Sequence, residues 1–265
     1  MRAGVALFAG LALLLASCAP RLGVAPAVDA LASRYRAARS ARAAALHAFT
    51  AELVVRADGR MVGRMPALAA SLAVAAPDRV KVRASWLLGT AFEVVGLDDS
   101  LFAWVPSQRA GVALGGAGGA MGVQAPLALA CRALGATWEP PADAWHHARA
   151  ESTGFALAWR EGGDSLQLHL DHDGLPLRVR LARQGGEVTV RYTAWERWRG
   201  APWPERFEIA DGSGWARLRI QMEQPHTSAI ADPHWFALRV PGDARILGWD
   251  ELRELLGFPG KEPGS

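Results

Sequence analysis

Lysine is nearly absent from this chain: Lys81 and Lys261 are the only two, and arginine carries the basic charge. No dense basic run occurs and the formal net charge is only +3, which excludes the electrostatic footprint of a nucleic-acid-binding protein. Cysteine is equally scarce. Cys18 and Cys131 are too few for a disulfide framework or a multi-cysteine zinc or iron–sulfur site. The apolar run at residues 4–16 falls short of the roughly 20 helical residues that a bilayer core requires. Signatures of catalysis are lacking too. The cluster Gly115-Gly116-Ala117-Gly118-Gly119 has no Lys-Ser/Thr to reach phosphate and magnesium, so it is no phosphate loop. Ser213, in Gly212-Ser213-Gly214, falls short of a nucleophile elbow. What is present is a 265-residue chain that is 51% apolar, a composition that suits one large or two small globular domains and argues against long disordered tracts.

The N-terminus assigns a compartment. Arg2, the short apolar core and the small residues after it have the order of a secretory signal. Leu15-Ala16-Ser17-Cys18 resembles a bacterial lipobox. That resemblance implies cleavage after residue 17, lipidation of Cys18 and acylation of its new amine. One acyl chain holds a protein to a membrane only marginally, whereas several anchor it stably. Ala19, rather than Asp, follows the cysteine, and the resemblance then implies sorting to the outer membrane, facing the periplasm. Cys131 lies in an Ala/Leu stretch and reads as a buried, small apolar residue.

Residues 18–26 read as a tether, 27–257 as a single domain and 258–265 as a flexible tail. From Ala27 to Phe49 the apolar residues Val28, Leu31, Tyr35, Ala38, Leu46 and Phe49 fall near helical spacing, with Arg34, Arg36, Arg39 and Arg42 on the remainder. The period then becomes two: Leu53 and Val55, Val80 and Val82, and Phe92, Val94 and Gly96 alternate with their neighbours, as in strands with one covered face. Hairpin punctuation recurs at Asp58-Gly59, Gly162-Gly163, Asp173-Gly174, Gly185-Gly186 and Asp211-Gly212. This predicts an antiparallel meander; no βαβ rhythm appears. Pro126 and Gly135 bracket a predicted helix containing Leu127, Leu129, Cys131 and Leu134. A second short helix is predicted at Trp249–Leu256.

Several segments resemble the lipoprotein carrier and receptor family of LolA and LolB. They include Pro77-Asp78-Arg79-Val80-Lys81-Val82, Leu88-Gly89-Thr90 with Phe92–Val95, and Leu101–Trp104. Near the end come Pro204–Ile209, then Asp232-Pro233, Phe236, Leu238 and Pro241-Gly242. The resemblance implies a mainly β (α+β) fold: an incomplete, strongly curved antiparallel barrel whose helices cover an apolar concave face that accepts acyl chains. In the receptor-like branch a loop between early strands projects a leucine into solvent, and the matching residues here are Trp86, Leu87 and Leu88. The expected cavity lining is Val82, Phe92, Val94 and Trp104 from strands, with Leu127 and Leu134 from the helix. The alanine-rich stretch Ala67–Ala76 and the concentration of tryptophan after residue 100 fit no particular branch.

His169, Asp171, His172 and Asp173, with His146-His147 upstream, form the strongest grouping for metal or acid–base chemistry, since His169 and Asp171 would share a strand face. Asp171-His172-Asp173-Gly174 is equally the composition of a hairpin tip, and that reading is preferred. The expectation is therefore a non-enzymatic, lipid-anchored, periplasm-facing protein without metal or cofactor. It binds acyl chains of a lipid or lipoprotein and serves lipoprotein localisation. The alternative is an assembly lipoprotein that holds a partner protein in its concave face.

Overall fold

The computed structural model describes residues 24–251 other than 46, 61–62, 65, 76–78, 87–88, 98–99, 116–123, 184–185, 215, 224, 227–232, 238–241 and 248–250. Side chains at 24–27, 63–64, 86, 114–115, 124–129 and 233–234 are likewise outside the description. Cys18, the C-terminal residues 258–265 and most of the helix predicted at Trp249–Leu256 therefore lie outside the described residues.

Two antiparallel meanders share one sheet. The first runs through β1 (Phe49–Gly59), β2 (Gly63–Arg64), β3 (Leu68–Ala75), β4 (Arg79–Trp86), β5 (Gly89–Leu97), β6 (Ser100–Val105) and β7 (Ala110–Gly115). The second runs through β8 (Arg149–Glu151), β9 (Gly154–Glu161), β10 (Asp164–Leu170), β11 (Pro176–Arg183), β12 (Gly186–Trp198), β13 (Ala201–Asp211) and β14 (Arg217–Met222). They join where β14 returns to pair with β1, Leu53 opposite Met222 and Val55 opposite Ile220. The resulting order is β15-β7-β6-β5-β4-β3-β1-β14-β13-β12-β11-β10-β9-β8, with the short β2 paired to β1. The sheet is strongly curved and its two ends do not meet, as expected from the sequence. β15 (Arg245–Leu247) departs from the meander by pairing parallel to β7.

Alternation separates the faces, interrupted by register shifts between β4 and β5, β10 and β11, and β12 and β13. Leu157, Leu168, Val179, Val190, Ile209, Leu218 and Ala57 occupy one register row across seven adjacent strands on the inner face. The predicted Gly162-Gly163 turn joins β9 to β10 with φ of 59° and 90°, the double positive φ that a two-residue hairpin requires.

Among the described residues, three α-helices line the inner face: α1 (Val24–Ala45), α2 (Gln124–Gly135) and α3 (Ala142–His146). Helix α1 ends before Phe49, which opens β1 instead of closing the helix. Its buried stripe is Val28, Leu31, Ala32, Tyr35 and Arg42. Arg42, assigned to the solvent side from the sequence, is fully buried, because steps of four, three and four from Leu31 keep it on that stripe.

The partners of Arg42 explain its position. Helix α2 ends in a Schellman motif: Ala136 is left-handed at φ 49°, its N–H donates to Ala133 O, and Thr137 N–H donates to Arg132 O. Pro126 and Gly135 thus marked the helix correctly, but Ala136 takes the left-handed position. The freed carbonyls meet buried donors. Arg42 Nη2 donates to Ala136 O at 3.2 Å and Nη1 to Pro202 O at 3.4 Å. Tyr192 OH donates to Ala133 O at 3.0 Å and accepts from Trp138 Nε1 at 2.8 Å. Tyr35 OH donates to Trp138 O at 2.5 Å. The guanidinium thus sits at the negative end of α2 and lies 5.5 Å from the centre of the Trp195 ring. Burial lowers its pKa, but arginine has no neutral form accessible near neutral pH.

The two tyrosines of the chain are both in this network. Burial raises both hydroxyl pKa values above the ordinary 10.0, opposed by the Arg42 charge. A raised folded-state value contributes stability that is complete below pH 10 and is lost as pH rises beyond it, because the unfolded chain then ionises first. Absorbance titration of the native chain is expected to show no tyrosinate at pH 11, whereas the urea-unfolded chain ionises both near 10. Tyr192→Phe leaves Trp138 Nε1 and Ala133 O without this partner, and a loss of about 1–3 kcal/mol in urea unfolding is expected.

Candidate functional site

The inner face is not evenly filled. Helix packing falls mainly on the second meander, where α1 and α2 meet β13 and α3 meets β9. There Leu157, Leu166, Leu168, Leu170, Tyr192 and Trp203 are almost fully buried against Leu31, Tyr35 and Trp138. Over β4–β6 the inner side chains Val82, Phe92, Val94, Leu101, Ala103 and Val105 are only half-buried.

Val82, Val94 and Ala103 belong to a continuous apolar row, and Phe92, Leu101 and Val105 flank it on the same face. Register pairs Ala51 with Leu72, Leu72 with Val82, Val82 with Val94, Val94 with Ala103, Ala103 with Val112 and Val112 with Leu247. From Leu72 to Leu247 the row crosses six strands, about 24 Å at the usual strand spacing. One leaflet's hydrocarbon is roughly 15 Å thick, half the bilayer core. No charged residue interrupts the row, and Arg42 is the one fully buried charge among the described residues. The arrangement offers an apolar strip of acyl-chain length with no acid–base group along it.

Three of the four strand residues expected to line the site therefore come together: Val82, Phe92 and Val94. Trp104 does not. It pairs with Glu93, while Val94 pairs with Ala103, so Trp104 points to the outer face. Alternation reveals that Trp104 and Ala103 differ in face, but only the β5–β6 register decides which one faces inward. On the outside Trp104 covers Gly111, where an added Cβ would lie 3.2 Å from its Cε3, and borders a cleft with Lys81, Arg83, Glu93 and Pro106. Leu134 lies in the packed core beside Ala133 and Cys131, not among the half-buried residues. Cys131 is buried, as expected. The side chains of Trp86, Leu87, Leu88 and Leu127 are outside the described residues; Trp86 closes β4 opposite Gly89.

The histidine grouping resolves as the hairpin tip. Asp171 Oδ1 accepts from Asp173 N–H at 2.9 Å and Leu175 N–H at 2.7 Å, an Asx-type turn that occupies the carboxylate. His169 lies on the outer face between the Glu151 carboxylate, 3.0 Å from Nδ1, and Arg178 Nη2, 3.3 Å from Nε2. Arginine only donates, so this geometry places the imidazole proton on Nδ1.

Neither protein-family models nor curated proteins give a match to the sequence. Solved structures do match the fold. A DUF1329 family protein from Desulfovibrio piger superposes with TM-score 0.51 at 8% identity, over 78% of this chain and 97% of that one. A putative outer membrane lipoprotein-sorting protein domain from Vibrio parahaemolyticus gives 0.49 at 8% identity, over 76% and 94%. A LolA superfamily protein from Nitrosomonas europaea gives 0.47 at 12%, over 73% and 91%. The likeness is one of fold. It agrees with the open, curved barrel that the sequence segments implied.

Sequence reasoning missed one feature that shapes the outer face. A 3-10 turn at Pro233–Phe236 crosses the outer face, burying Phe236 against Ala73, Ala75, Val95 and Leu97, while Lys81 Nζ donates to Ala237 O at 3.1 Å. Ala73 and Ala75 of β3 are the floor of this groove: a larger side chain at Ala73 would displace the phenyl ring.

The two faces make separable predictions for a fluorescent apolar probe such as an alkylnaphthylamine. Val94→Asp is expected to cut probe binding at least tenfold while costing about 1–2 kcal/mol of stability. Trp104→Ala is expected to leave probe binding unchanged, as titrations of the two variants side by side will show.

Proposed function

We propose that the chain is a lipid-anchored envelope protein that binds the acyl chains of a lipid or lipoprotein along the inner face of β4–β6, without covalent catalysis. The observation that carries this reading is the uninterrupted row Leu72–Val82–Val94–Ala103–Val112–Leu247, whose middle is half-buried in the free protein. The apolar surface left open at Val82, Val94 and Ala103 costs free energy in water, and covering it with hydrocarbon recovers about 25 cal/mol per Å². Binding by such a strip selects apolar length over headgroup, so the ligand class is acyl chains rather than one lipid.

The lipobox at Leu15–Cys18 supports an attachment through Cys18 to the membrane, and Ala19 supports the outer membrane as the site, facing the periplasm. Lipoprotein localisation is the process that joins these features: a carrier must hold acyl chains without a covalent bond, and a sheet with a hydrophobic strip does so reversibly.

Native mass spectrometry after detergent-free purification tests the reading. The expected spectrum contains a lipid adduct that collision energy removes, and Val82→Asp with Val94→Asp lowers its occupancy at least tenfold. A consistently empty protein that takes up no lipid from vesicles contradicts the proposal.

A further inference from the structure

The outer face of the second meander carries a row of its own, one residue along from the apolar inner row. Arg56 pairs with Arg219, Arg219 with Glu208, Glu208 with Arg191, Arg191 with Arg178, and Arg178 with His169; Ala156 then leads to Arg149. Like charges directly opposite on neighbouring strands destabilise a sheet, yet this row contains two such pairs, Arg56–Arg219 and Arg191–Arg178. Internal compensation is incomplete. Glu208 serves both Arg217 and Arg219, and Asp58 also pairs with Arg219. Arg56 and Arg191 are exposed and have no carboxylate partner among the described residues. Beside the row, Arg56, Arg206 and Arg219 line a shallow depression of about 240 Å³.

We propose that this arginine face docks on the anionic headgroups of a phospholipid bilayer. Two observations select a membrane over an acidic protein. First, the described large exposed hydrophobics are Phe102, Trp235 and Ile246 on the first meander, and Leu218, which belongs to the inner row. The arginine face therefore lacks the apolar anchors around which protein interfaces are built. Second, Arg56, Arg219, Arg191 and Arg178 span about 19 Å across five strands, wider than a single phosphate and suited to several headgroups at once. Guanidinium forks suit phosphate oxygens bidentately. Each arginine near an anionic surface is worth about fivefold in affinity, and screening acts over roughly 8 Å at physiological salt. The docking is separate from acyl-chain binding on the inner face: it would hold the barrel by its outer wall against the leaflet, leaving the concave side free.

The test mixes the full chain with vesicles of phosphatidylcholine alone or with added phosphatidylglycerol, isolates the vesicle-bound fraction, and maps arginine reactivity towards a glyoxal reagent by mass spectrometry. On anionic vesicles Arg56, Arg178, Arg191 and Arg219 are expected to react at least fivefold more slowly than on zwitterionic ones. High salt is expected to remove the protection, and Arg83 on the first meander is expected to be indifferent. Arg56→Glu with Arg191→Glu is expected to abolish the difference at Arg178 and Arg219 while circular dichroism stays unchanged. Equal reactivity on both vesicles, or no anionic-vesicle-bound protein, overturns the proposal. Protection by soluble polyglutamate but not by anionic vesicles overturns it in favour of an acidic protein partner.

Discussion

The C-terminus of helix α2 is the point on which the remainder of the structure depends. Carbonyls at its end would be costly inside an apolar sheet, and they are met by Arg42 and Tyr192, while Trp138, in the segment that follows, donates to Tyr192 and accepts from Tyr35. A full positive charge is placed against a helix end instead of a carboxylate, which avoids burying a second ion. Because the donors come from α1 and β12, and Arg42 also reaches β13, one polar cluster fixes both helices to the second meander. Packing is thereby concentrated on that half.

The uneven packing makes the site. The described helices pack mainly on the second meander, and Val82, Phe92, Val94, Leu101, Ala103 and Val105 on the inner face of β4–β6 stay half-buried. The same alternation that lines this strip with valine and alanine places charge on the outside of the second meander, whereas the outside of the first carries the apolar groove of Phe236. The outer wall of the first meander is closed by Phe236; that of the second remains a field of arginines. The two proposed activities, acyl-chain binding inside and headgroup contact outside, both trace to a single period-two pattern in a sheet that does not close.

Much of this was legible in the sequence because it rests on local rules. Alternation at Leu53 and Val55, Val80 and Val82, and Phe92 and Val94 marked strands; glycine pairs marked hairpins; Pro126 and Gly135 bracketed α2. Features that depend on pairing between distant segments were not legible. Trp104 was assigned to the wrong face because alternation leaves open which of two neighbours points inward until the partner strand is known. Arg42 looked like a solvent residue because its acceptors, Ala136 O and Pro202 O, are 94 and 160 positions away. The arginine row exists only in register: its members are scattered from Arg56 to Arg219, and no window of sequence contains more than a fraction of them. Phe236 was recognised as part of a motif, but the alanines that receive it lie far upstream in β3.

The central claim is that hydrocarbon lies along the inner face of β4–β6. A fatty acid carrying a diazirine near its methyl end, photolysed in complex with the full chain and mapped by peptide mass spectrometry, tests it most directly. The account predicts labels at Val82, Phe92, Val94, Leu101 and Ala103, and none at Trp104 or Phe102 on the opposite face of the same strands. Labels confined to the outer face, or spread equally over both, would contradict it.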